Sequence, residues 1–169
     1  MRDLGGFDRV IALHNPTLTD LRQAFETAEA WTANRQNAEL LFYYSGHADP
    51  LGLLLGGSRF LFQELRARVE RSTAAVRVAL LDACHSGEAT RSNGGRPAPA
   101  FSLDALASRD LRGAAIIAAS TASEFAQESS LIEGSYFTHH LLSALRGAAD
   151  QDRNGAVTLA EAYRYTYAR

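Results

Sequence analysis

The chain has 169 residues, 46% of them hydrophobic and 21% charged, which suits one globular domain with its own core. Its 17 basic and 19 acidic residues nearly cancel, so there is no electrostatic footprint for nucleic acid. No apolar run approaches the ~20 residues of a membrane helix, and no secretory signal opens the chain. The single cysteine excludes an internal disulfide and makes a reducing cytoplasm the expected location.

In chain order, residues 7–14 (Phe-Asp-Arg-Val-Ile-Ala-Leu-His) read as a strand, and Asn15-Pro16-Thr17 turns the chain. Leu18, Leu21, Phe25, Ala28 and Trp31 recur at helical spacing, predicting an amphipathic helix over 17–33 with Thr17 and Asp20 as its cap. Residues 38–49 form an apolar strand that ends in small residues and delivers His47. Two short apolar runs around Gly56-Gly57 predict a hairpin over 51–62. A helix follows over 63–71, with Leu65 and Val69 on its apolar side and Glu64, Arg66, Arg68, Glu70 and Arg71 mostly exposed.

Residues 76–87 read Val-Arg-Val-Ala-Leu-Leu-Asp-Ala-Cys-His-Ser-Gly, a buried strand whose apolar run stops just before Cys84. The Gly- and Pro-containing stretch 88–100 is a loop by composition, and 101–109 forms a short helix. Residues 113–119 are another buried strand, and 120–134 a polar loop of the length usually reserved for function. A helix over 135–146, an acidic turn over 150–161 and a Tyr-rich last helix complete the chain, which has no internal repeats. Apolar strands alternating with helices predict an α/β fold, a mainly parallel sheet flanked by helices on both faces.

A thiol at a strand exit is held by a rigid scaffold yet faces the loops, where ligands bind in open α/β sheets. A free thiol titrates near ~8.5 and needs a base or an electropositive site to attack at neutral pH. His47 arrives on its own strand and is the expected acid–base partner, whereas His85 follows Cys84 directly and should point to the opposite face. An inert core cysteine is the bland alternative. A phosphatase loop of the Cys-x5-Arg type fails, because Thr90 stands where Arg is needed.

Tyr-Ser-Gly-His-Ala-Asp followed by Leu-Leu-Asp-Ala-Cys-His-Ser-Gly resembles the caspase/metacaspase cysteine peptidases, specifically bacterial caspase-like proteins. The similarity runs through most of the chain, including Gly-Ser-Tyr-Phe-Thr-His-His. It implies a three-layer caspase-like sandwich, a polypeptide substrate, a His47–Cys84 dyad and an oxyanion hole from the backbone N–H groups of Cys84 and Ala48. It also implies that Asp82 and Ser45 line the primary specificity pocket, so that cleavage follows Arg or Lys. True caspases, which cut after Asp, carry basic residues there. A loop-capping carboxylate is the alternative role for Asp82. Arg91 and Arg96, in the loop after the nucleophile, are candidate self-cleavage sites. Family members usually carry a strand and a helix ahead of the part that matches residues 1–6. Their lack here predicts an exposed sheet edge and an incomplete pocket.

The peptidase chemistry needs no cofactor. A Ca²⁺ ion is nevertheless suggested by Asp150-Gln-Asp152-Arg-Asn154-Gly155-Ala-Val-Thr158-Leu-Ala-Glu161, which fits the EF-hand loop pattern, with the Ala156 carbonyl as a further ligand. The same residues also read as a turn at Asn154-Gly155 and a capping box from Thr158 to Glu161. His14, His139 and His140 carry no site. A non-proteolytic interaction or Ca²⁺-sensing module on the same fold is the competing reading, and the oligomeric state is open.

Overall fold

The structure is a computed structural model that describes residues 6–85, 113–118, 128–129 and 134–168, with Cys84, His85, Glu128, Ser129 and Gly134 described in their main chain only. Helix α1 (Leu18–Thr32) starts where expected. The Thr17 hydroxyl accepts from the Asp20 N–H, and the Asp20 carboxylate returns the bond to Thr17 in a closed capping box. Strand β1 (Glu39–Asp49) follows, then the hairpin β2 (Gly52–Leu55) and β3 (Ser58–Leu61). Gly56 and Gly57 turn that hairpin with φ of 55° and 33°, the left-handed region that a two-residue hairpin loop requires. Helix α2 (Phe62–Arg71) leads into β4 (Val76–His85), and β5 (Ala114–Ala118) is the last strand of the main sheet among the described residues. A two-stranded ribbon, β6 (Glu128–Ser129) with β7 (Gly134–Ser135), precedes helix α3 (Tyr136–Ser143). A π turn over Ala144–Ala148 ends α3, and α4 (Leu159–Tyr167) closes the described chain.

The five-stranded sheet has the order β3-β2-β1-β4-β5. Its long pairings, β1 with β4 and β4 with β5, are parallel, and the hairpin adds the antiparallel pairs. Alternate residues of β1, β4 and β5 enter two separate cores, as a sheet covered on both faces demands, while β2 and β3 add Leu53, Leu55 and Phe60 to the first. Phe42, Tyr44, Ala79, Leu81 and Ile116 pack under α1 and α2 with Leu21, Phe25, Leu65 and Val69. Leu41, Tyr43, Val78, Leu80 and Ile117 pack under α3 and α4 with Phe137, Leu141 and Ala162. Phe25 seals the first core, its ring 5.1 Å from Phe42 and 5.8 Å from Phe60. Across the tops of these helices Arg22 grips Glu64 through two 2.8 Å bonds, which ties α1 to α2.

Two expectations need correction. Residues 7–14 form no strand: Ile11 and Leu13 are 37% and 39% exposed, and the segment has no ladder partner among the described residues. A strand exists only through its neighbour, so an apolar run alone does not make one. Its Arg9 instead lies over the Trp31 ring of α1, 4.8 Å from the centroid. The second correction concerns the strand ends. Both key strands run past their apolar stretch, so His47 and Cys84 lie inside β1 and β4 and are held by the ladder. The expected loop at 88–100 and helix at 101–109 lie outside the described residues. No helix among the described residues is long and apolar enough to cross a membrane.

Candidate active site

The β1–β4 ladder is parallel and continuous from Glu39 opposite Val76 to Ala48 opposite His85. Within it Ser45 pairs with Asp82, Gly46 with Ala83 and His47 with Cys84. Adjacent strands lie about 4.8 Å apart, so the main chains of His47 and Cys84 are direct neighbours at the carboxyl end of the sheet. The two residues are distant in the chain, yet the register leaves no slack between them. His47 is exposed, as is Ser45 two positions earlier on the same face. The expected outward turn of His85 concerns a side chain outside the described set, and Arg91 and Arg96 lie outside the described residues altogether.

Asp82 is buried at 2% exposure, deep for a carboxylate, and its oxygens are met by hydroxyl groups. Ser135 donates to Oδ1 at 2.7 Å, Thr138 donates to Oδ2, and the Tyr43 hydroxyl stands 3.5 Å from Oδ2 and 2.7 Å from the Thr138 hydroxyl. Ser135 is also the N-cap of α3, accepting the Thr138 N–H at 3.4 Å. The carboxylate therefore faces the positive end of a helix as well as three hydroxyls, an arrangement that offsets the cost of burying it. Sequence reading singled out Asp82 but missed Tyr43, Ser135 and Thr138. The only local signal was the serine-to-threonine spacing that marks a helix cap.

On the opposite face of β1, the Tyr44 hydroxyl lies 2.7 Å from the His47 carbonyl oxygen and 2.9 Å from that of Leu54. Burial pushes this phenol up to about 12, so it keeps its proton at neutral pH. At the end of β1, Asp49 caps the turn into β2, accepting the N–H groups of Leu51 and Gly52 at 2.8 and 3.0 Å and the Arg59 Nε–H at 2.7 Å. Burial alone would raise its pKa. The backbone donors and the guanidinium outweigh that and hold it below the usual aspartate value.

The chain matches the family model of the caspase domain, peptidase C14, over residues 1–164. The chain belongs to the caspase-domain family. Membership makes cysteine peptidase chemistry on polypeptides the family-level character of this domain. No curated protein and no solved structure matches the chain.

At the far end of this caspase domain the acidic turn is ordered by its own main chain. The Asp150 carboxylate accepts the N–H groups of Asn154 at 3.1 Å and Gly155 at 3.0 Å, with Arg153 and Gly155 in the left-handed region at φ of 57° and 83°. Glu161 is buried at 7% exposure and closes the capping box with Thr158, bonding its N–H at 2.9 Å and its hydroxyl at 2.7 Å. Those Thr158 donors hold Glu161 below the usual glutamate value. One carboxylate oxygen each of Asp150, Asp152 and Glu161 lies within 4.8 Å of the others. His139 is exposed, with its ring 5.3 Å from that of His140. The tyrosine run of α4 is structural. Tyr165 and Tyr167 pack on the second core, and the Tyr167 hydroxyl donates to the Ala118 carbonyl at the end of β5.

Proposed function

We propose that this caspase domain is a cysteine endopeptidase that cleaves polypeptides after Arg or Lys through a His47–Cys84 dyad. The observation that carries the reading is the pairing of His47 with Cys84 at the carboxyl end of adjacent parallel strands. The Cys84 thiolate attacks the scissile carbonyl carbon, and the backbone N–H groups of Cys84 and Ala48 receive the oxyanion. Collapse breaks the C–N bond, His47 protonates the leaving amine, and a thioester remains. His47 then takes a proton from water, whose oxygen attacks the thioester and releases the carboxylic acid and the thiol. Ser45 and the Asp82 carboxylate, paired across the two strands, receive the basic P1 side chain. Fluorogenic peptides with Arg, Lys or Asp at P1 test this directly. Turnover of the basic peptides, abolished by Cys84→Ala and by His47→Ala, is expected; turnover that survives both variants defeats the dyad. Self-cleavage after Arg91 or Arg96 would nick the wild-type chain and leave Cys84→Ala intact. The chemistry needs a free thiol, which fits a reducing cytoplasm.

The convergence of Asp150, Asp152 and Glu161 favours a second property, Ca²⁺ binding at the acidic turn. Asp150, Asp152, Asn154, Thr158, Glu161 and the Ala156 carbonyl are the oxygen ligands, and a bound ion would stiffen the entry to α4. Calorimetry of the whole chain, and of Asp150→Asn, tests it: heat in the first and none in the second is expected. No heat with millimolar Ca²⁺ leaves the capping box as the sole role of the turn. Ca²⁺ binding without any peptide turnover would favour a sensing module over an enzyme.

A further inference from the structure

We infer that Tyr44 and Gly46 are positioning residues for the dyad histidine. The inference rests on His47 being the acid–base partner of Cys84. The ladder between β1 and β2 reaches only Ala48, opposite Leu53, and Asp49, opposite Gly52. At His47 a side chain takes over. The Tyr44 hydroxyl bridges the carbonyl oxygens of His47 and Leu54 at 2.7 and 2.9 Å, joining β1 to β2 one residue beyond their backbone pairing. With its proton retained, the phenol shares its one O–H between the two carbonyl oxygens as a three-centre bond, the shorter arm on His47.

Gly46 makes room for this bridge. A Cβ at position 46 would stand 2.7 Å from the Tyr44 hydroxyl oxygen and 2.9 Å from the ring carbon that carries it. Any side chain there would push the hydroxyl off the His47 carbonyl. The main chain of His47 is thus fixed on one side by β4 and on the other by a phenol, and its exposed imidazole extends from a clamped peptide. Reacting groups held from rigid elements keep their geometry, and small misplacements lower rate far more than affinity.

The test uses the full chain and two readouts: steady-state cleavage of an Arg-P1 fluorogenic peptide, and the rate of iodoacetamide alkylation. Cys84 is the only cysteine, so alkylation reports on that thiol alone. Tyr44→Phe is expected to lower kcat about tenfold with KM within about twofold, and to slow alkylation by a similar factor. Gly46→Ala should reproduce the loss, and the double variant should be no worse than Gly46→Ala alone. Val69→Ala is the stability control, since Val69 is a buried side chain of α2 and not of the strand that carries His47. At a temperature where all variants are folded it should leave both rates unchanged. Unchanged kcat and alkylation in Tyr44→Phe overturn the inference, as does an equal loss in Val69→Ala at matched loss of Tm. If His47→Ala leaves alkylation and its pH profile unchanged, the dyad reading itself fails and the positioning role falls with it.

Discussion

Asp82 and Ser135 lie 53 positions apart in the chain and meet at 2.7 Å, hydroxyl to carboxylate, at 2% exposure of the aspartate. With Thr138 and Tyr43 on the second oxygen, this cluster fastens the start of α3 to β4 two residues before Cys84.

Stability should therefore depend on these hydroxyls. Ser135→Ala and Thr138→Val are each expected to cost about 1–3 kcal/mol in urea unfolding, because each leaves a buried charged acceptor short of a donor. The double variant should cost less or more than the sum, since both groups serve one carboxylate. Losses below about 0.5 kcal/mol in both single variants would show the cluster to be energetically idle.

The same cluster shapes the expected P1 preference. A carboxylate offers about four lone-pair sites, and three hydroxyls already face this one, so a P1 cation meets Asp82 through a single bond and not a bidentate fork. The ratio of kcat/KM for Arg over Lys peptides should stay under about tenfold in the wild type and rise in Thr138→Val. A strong Arg preference, unmoved by that variant, would contradict this account of the pocket.

Acid should loosen the helical layer of α1 and α2. The hydrogen bond from Arg22, more than the charge attraction, holds Glu64 below its ordinary value of 4.5. A carboxylate with a lowered folded-state pKa contributes its stability in full above that ordinary value and loses it as pH falls through the folded-state pKa. Urea midpoints measured from pH 6 down to pH 3 should fall less steeply in Glu64→Gln than in the wild type. Parallel curves would assign the acid sensitivity elsewhere, with Asp49 the next group to vary.

The hairpin offers a test of packing at two glycines. A Cβ at Gly52 would stand 2.3 Å from the Phe60 carbonyl oxygen, whereas one at Gly56 meets nothing within 4 Å. Gly52→Ala should lower stability by several kcal/mol, about 3 or more, because backbone must shift to admit it. Gly56→Ala carries only the left-handed cost of about 1–2 kcal/mol. Equal melting temperatures for the two variants would mean that β2 and β3 do not approach this closely.

Local chemistry was legible from the residues alone. The Thr17–Asp20 and Thr158–Glu161 boxes, the Gly56-Gly57 turn, and the stripes through Leu21 and Phe25 or Leu65 and Val69 all satisfy demands made within a few positions. So do the apolar runs that mark β1, β4 and β5, and with them the α/β class. What needed the tertiary structure is each relation between distant groups. Residues 7–14 carry a strand-like run but meet no ladder among the described residues, while the runs of β1 and β4 do and extend through His47 and Cys84. Tyr43 and Tyr44 are adjacent, yet alternation sends one hydroxyl to the Asp82 cluster and the other to the His47 carbonyl. Periodicity records how much burial a segment wants. Which partner supplies it is set by register and by the helices that cover each face, and no window along the chain contains both.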